Sequence, residues 1–279
     1  MELEDLREEI RQTEKRFPDE GTDFLIFALS DRILRTLVGD KWVNSAIYPY
    51  SKDQVTRDDR KYLSSKTLGI QWQSRVKTLA EKLFNLQDIC GIERIIDEIR
   101  HGNLSSRFAE LDAGSFLYRR KVSFEFVIPQ GKKGLDFDIK IADAVNVNCE
   151  VKHKIDNLIP TKEIIQKTLH NAHEQVPSNE SSLFFIKFPE EWTTFPTLPK
   201  ILYSGMESFF SRNKNSLGVV FMWEHKISKF PDLKGWGWIY RFEANPYFIG
   251  DSYLDLFSKL SGPSTKEVID LRKFTEDNL

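Results

Sequence analysis

Leu135-Asp-Phe-Asp-Ile-Lys-Ile141 and, a short turn later, Val145-Asn-Val-Asn-Cys-Glu-Val-Lys152 are the segments on which the reading of this 279-residue chain turns. Each alternates apolar and polar residues, the period of a half-buried strand. In the first, Asp136, Asp138 and Lys140 fall on one face and Leu135, Phe137, Ile139 and Ile141 on the other. In the second, Asn148, Glu150, Lys152 and Lys154 share a face opposite Val147, Cys149 and Val151. Paired in one sheet, the strands would bring together a carboxylate from each and an ammonium two residues on. Carboxylates that close repel, so the pair calls for a cation.

Working outward, Val122 to Ile128 reads as a strand joined to Leu135–Ile141 through a hairpin turn at Gly131 to Gly134, and Ser105 to Tyr118 as the helix before it. Downstream, Thr161 is placed to cap a helix whose apolar stripe is Ile165, Leu169, Ala172 and Val176, ended by Pro177. Leu183 to Phe188 and Gly218 to Lys226 have the composition of interior strands, separated by a proline-punctuated loop and a helix around Ile201 to Phe210. A last strand, Trp236 to Phe242, precedes a short helix. The order predicts an α/β fold with a mixed central sheet flanked by helices.

The first third reads as all-helical: Glu2 to Phe17, Asp23 to about Val38, Leu68 to Leu86 and Gly91 to Arg100, with a Trp/Tyr-bearing loop from Gly39 to Tyr50. The expected organisation is a helical N-terminal region over 1–100, a core over 101–260 and a polar tail over 261–279.

Composition bounds the function. Forty Lys plus Arg against 42 acids, net −2, exclude a globally basic protein that coats nucleic acid, but not a locally basic cleft. The longest apolar run, Phe24 to Leu29, is far short of the about 20 residues a membrane-spanning helix needs, and the acidic start, Met1 to Asp5, is unlike a secretory signal. Two cysteines, Cys90 and Cys149, the latter in an apolar-alternating segment, point to a reducing, cytoplasmic location.

One or two carboxylates, with other positions left to water and phosphate oxygens, suit Mg²⁺, with Mn²⁺ as its substitute, whereas zinc would want Cys/His clusters that the chain lacks. Such an ion lowers the pKa of bound water and offsets charge on phosphate, while Lys152 orients the water or stabilises the transition state. That is the chemistry of phosphodiester hydrolysis.

Asp136 followed fourteen residues later by Glu150-Val151-Lys152 resembles the PD-(D/E)XK nuclease superfamily, the restriction-endonuclease-like fold, over roughly Ser105 to Lys226. The resemblance implies a nuclease, with DNA the expected nucleic-acid substrate, Asp136 and Glu150 as metal ligands, the Val151 carbonyl as a further ligand and Lys152 as a catalytic residue. It also implies a role for a Glu on the preceding helix, which Glu110 matches, and for a Gln on the following helix, Gln166 or Gln175. Leu135 stands where the motif name has proline, which leaves Asp138 as the alternative to Asp136. A double-strand break needs two sites, which a homodimer would supply.

Blander readings stand beside these. Asp59-Arg60-Lys61, Asp138-Ile139-Lys140, Glu224-His225-Lys226 and Asp232-Leu233-Lys234 also match acid-any-Lys. The strand acids could be the solvated face of a hairpin, and Glu110 could pair with Arg107 one turn earlier. His170 and His173 lack a third ligand at matching spacing. Arg119-Arg120-Lys121 and Lys132-Lys133 could meet phosphates, and Trp42, Tyr48, Tyr50, Trp236 and Trp238 could stack on bases, or all could serve solubility and core. The rival to an enzyme is an inactive nuclease-fold module that binds nucleic acid or a protein partner.

Overall fold

A computed structural model describes residues 1–48, 70–128, 136–143, 145–154, 159–230 and 233–279, with the backbone alone at 70–71, 225–230 and 233–238. The chain divides into two compact units. One comprises residues 1–88, 92–111 and 267–279, the other residues 89–91 and 112–266.

The first unit is helical. Its elements are α1 (Leu3–Arg16), α2 (Thr22–Leu37), α3 (Asp40–Ala46), α4 (Ile70–Leu86), α5 (Ile92–Arg100), the start of α6 (Leu104–Arg119), and the C-terminal α10 (Leu271–Asn278). In α5, Ile92, Ile95, Ile96 and Ile99 form one fully apolar stripe, all buried, against charged residues on the other face. The loop expected from Gly39 contains α3, which buries Trp42, Val43 and Ala46. Gly39 makes the break before it at φ 110°, a conformation side chains disfavour. Trp42 is therefore core, and Tyr48 meets Phe27 and Trp72 edge-on at 6.0 and 6.3 Å. Tyr50 lies outside the described residues.

The segment expected as a polar tail carries α10. Ile269 N–H donates to Asn85 Oδ1 (2.9 Å), Leu271 N–H donates to Glu81 Oε1 (2.8 Å), and Asp270 caps α10 by accepting from the N–H groups of Arg272 and Lys273. Only Leu271 and Thr275 are buried on α10, a stripe too short to stand out as a period.

The second unit is built on a six-stranded mixed sheet: β1 (Phe124–Phe126), β2 (Ile139–Ala142), β3 (Asn146–His153), β4 (Ser182–Lys187), β5 (Ser216–Phe230) and β6 (Leu233–Ala244), adjacent in that order. Pairing is antiparallel for β1/β2, β2/β3 and β5/β6 and parallel for β3/β4 and β4/β5. Parallel neighbours need crossovers, which α7 (Lys162–His173) and α8 (Leu198–Phe210) provide, followed after β6 by α9 (Leu254–Ser261). The chain is thus α/β. Thr161 caps α7 as its sequence predicts, its hydroxyl accepting from Ile164 N–H at 3.3 Å.

β4 is buried along its whole length, the burial of a parallel interior strand covered on both faces. Phe184 and Ile186 join Val219 and Phe221 against Ile165 and Leu169 of α7 and Met206 and Phe209 of α8. On the other face Phe185 meets Phe116 of α6 at 5.8 Å. No helix among the described residues is long and apolar enough to cross a membrane.

β1 and β2 are shorter than the expected Val122–Ile128 and Leu135–Ile141. Asp136 lies outside the ladder because its N–H donates to the Gln175 carbonyl (3.1 Å), which draws the chain towards the end of α7. The Gly131–Gly134 turn lies outside the described residues.

The α7/α8 contact leaves no room for a side chain at Gly205, where a Cβ would stand 2.7 Å from Ile165 Cγ2. Gly205→Ala is expected to cost about 1–3 kcal/mol by overpacking. Urea denaturation should give a lower midpoint at unchanged m value.

Candidate functional site

Burial of β3 brings a carboxylate inside the second unit, where Glu150 is 3% exposed. A buried carboxylate needs a partner, and Lys152, two residues on and on the same face, donates to Glu150 Oε1 at 2.5 Å. The Lys152 side chain keeps 30% exposure, so its ammonium stands between the buried acid and solvent. Asp138 comes alongside just before β2 begins. Its N–H donates to the Cys149 carbonyl (3.0 Å), and its Oδ2 accepts from Val151 N–H (2.9 Å). Asp138, Glu150, Val151 and Lys152 are therefore brought together, Val151 through its amide.

Asp136 is half-buried and joined through its backbone to Gln175. Of the two glutamines offered for the helix after β3, Gln175 faces the strand end. Beyond Lys152 opens a cleft of about 430 Å³ with Lys152, His153 and Lys154 on its strand side. Thr168, Asn171, Glu174 and Gln175 form its helix side.

Glu110 belongs to the helical unit and is spoken for there. It is 2% exposed, pairs with Arg107 of its own helix, and accepts from Arg94 Nη2 at 2.5 Å. The arginine pairing, extended by a second guanidinium, is the surrounding the structure gives it.

Asp112, two residues further along α6 and in the second unit, was not singled out by its sequence. It is fully buried and meets Lys187 Nζ of β4 at 2.9 Å, while Glu224 of β5 meets the same ammonium at 3.2 Å. Glu224 is the acid of one of the rival acid-any-Lys matches. The signal that could have found the cluster is Lys187 itself, a lysine inside the apolar run Leu183–Phe188, where burial demands anions.

Other candidates resolve into structure. Arg120 lies over the Phe116 ring at 3.8 Å and donates to the Leu260 carbonyl, and Lys121 occupies φ 56° at the helix end. Burial pushes the Cys149 thiol far above its ordinary value, an inert core sulfur. His173 packs against Phe184 and Phe209. Lys132-Lys133, Asp59-Arg60-Lys61 and the side chains of Trp236 and Trp238 lie outside the description.

Among the described residues no group of three or more His, Cys, Asp or Glu is arranged to hold a metal ion. The donor set beside β3 is two carboxylates, which fits a hard cation that takes its remaining ligands from water and phosphate and does not fit zinc. Comparison of the chain with protein-family models, curated proteins and solved structures finds no match.

Two outcomes follow from these surroundings. Glu110→Gln removes one of the two carboxylates that the Arg94 and Arg107 guanidiniums share, Glu98 being the other, and should lower stability by about 1–3 kcal/mol in chemical denaturation; unchanged stability would contradict the clamp. Burial, aided by the neighbouring His170 charge, lowers the His173 pKa. The unfolded chain then binds this proton more readily, so its contribution is full above the ordinary histidine pKa and is lost as pH falls below it. Between pH 7.5 and 5, His173→Phe should lose less stability than the parent in urea unfolding.

Proposed function

We propose that this chain is a metal-dependent nuclease that hydrolyses phosphodiester bonds in DNA, with its site at Asp138, Glu150 and Lys152. The observation that carries the reading is a buried carboxylate on an interior strand whose lysine partner faces an open cleft, with a second carboxylate on the adjacent segment that leads into β2. The chain order also supports it: helix α6, strands β1 to β3, crossover helix α7, then β4 parallel to β3. That is the order the resemblance to the PD-(D/E)XK superfamily requires.

The two carboxylates would hold Mg²⁺ or Mn²⁺, which when bound supplies Lewis acidity toward a phosphoryl oxygen and an acidified water. Glu150 anchors the Lys152 ammonium by a charge-assisted hydrogen bond. Lys152, at the mouth of the cleft, orients the attacking water and offsets the negative charge that grows on the phosphoryl oxygens. Val151 N–H fixes the Asp138 carboxylate against the strand, which pre-organises the pair. Asp138 is preferred to Asp136 because its side chain reaches β3.

Purified chain with Mg²⁺ or Mn²⁺ should nick or cut plasmid DNA, and Glu150→Ala should lower the rate at least ~100-fold with the fold retained, since even supporting residues of metal sites cost 10–100-fold. Equal rates in parent and variant would end the assignment. DNA binding that persists in chelator, with no divalent binding by calorimetry and no cleavage, would mark a binding module instead.

A further inference from the structure

The cleft extends past the residues given a catalytic role. β3 ends at His153, but the Lys154 N–H still donates to the Lys187 carbonyl at 2.8 Å, so the extended backbone continues through Lys154. Lys152 and Lys154 therefore point to the same side, about 6.6 Å apart along the strand at 3.3 Å per residue. That is close to the spacing of successive phosphates along a nucleic-acid strand. Lys152 is held by Glu150, whereas among the described residues no acid pairs with Lys154.

Across the cleft, Asn171 and Gln175 line the wall with amide donors, four residues apart. Thr168, on the same lining, gives its hydroxyl proton to the Ile164 carbonyl at 2.8 Å, while the two amides face the strand residues Lys152, His153 and Lys154, which carry N–H groups of their own. Glu174 on the same wall disfavours an anion placed against it and so confines one to the Lys154 side.

We infer that Lys154, with Asn171 and Gln175, forms a subsite for the backbone phosphate next to the scissile one, so that a single nucleic-acid strand lies along the direction of β3. The inference rests on the nuclease reading for the position of the scissile phosphate. The subsite itself is a charge-assisted phosphate contact that carries no sequence information. Lys154 acts here as a binding residue, and its loss is felt before any chemistry.

The test is equilibrium binding of the full chain to a fluorescein-labelled twelve-nucleotide single-stranded DNA in excess EDTA, by anisotropy across a range of salt concentrations. Lys154→Gln should weaken binding several-fold at low salt and reduce the slope of log K against log salt by about 0.7, one phosphate contact to a single strand. Asn171→Ala should weaken binding without changing the slope, since a neutral donor releases no counterion. Lys214→Gln, an exposed lysine away from the cleft, should leave both unchanged. An unchanged slope in Lys154→Gln, or no binding by the parent, overturns the subsite. Plasmid cleavage with Mg²⁺, read separately, distinguishes the two claims. A reduced slope without cleavage ends the nuclease reading and keeps the subsite, and cleavage with an unchanged slope does the reverse.

Discussion

A carboxylate taken out of water must be matched by charge or hydrogen bonds, and the second unit is arranged around that requirement at Glu150. The strand that carries it is interior, flanked by β2 and β4, and the acid is buried there. Lys152 supplies the matching charge from the same face, and its partial exposure turns an internal ion pair into one that looks onto a cleft. The start of β2 completes the arrangement. The Asp138 backbone is tied to both neighbouring strands, its N–H donating to the Cys149 carbonyl and its carbonyl accepting from Val127 N–H, while its carboxylate takes the Val151 amide.

The same requirement is met differently at the other internal acids. Glu110 is matched by two arginines, and Asp112 and Glu224 share one lysine. Each cluster reads as an internal tie between elements, Asp112 binding α6 to β4 and Glu224 binding β5 to the same lysine. The lysine of the Glu150 pair lies at a cleft, and that placement carries the functional reading.

Much of the fold was legible in the residues. The period of two from Val145 to Lys152, the capped stripe from Thr161 to Val176 and the apolar run Leu183–Phe188 each became the element their pattern predicts. What was not legible has physical causes. From Phe108 to Leu117 every residue of α6 is buried, so the helix has no polar face and its periodicity cannot say where Glu110 or Asp112 points. Asp136 and Asp138 share parity, and only a backbone bond to Gln175, distant in sequence, separates them. The segments α3 and α10 are too short for a stripe to emerge and are held by a glycine break and by side-chain bonds from Glu81 and Asn85. Glu150 and Lys152 were legible because they are neighbours on one strand, where sequence spacing and spatial spacing coincide.

The central claim is that Asp138 and Glu150 converge on a point where a divalent cation settles. Anomalous scattering from crystals soaked in Mn²⁺ tests it most directly. The account predicts one strong peak within about 2.2 Å of an oxygen from each carboxylate, the coordination distance of a small hard cation. A map without a peak there, or with the ion bound elsewhere and the Glu150–Lys152 pair undisturbed, would contradict it.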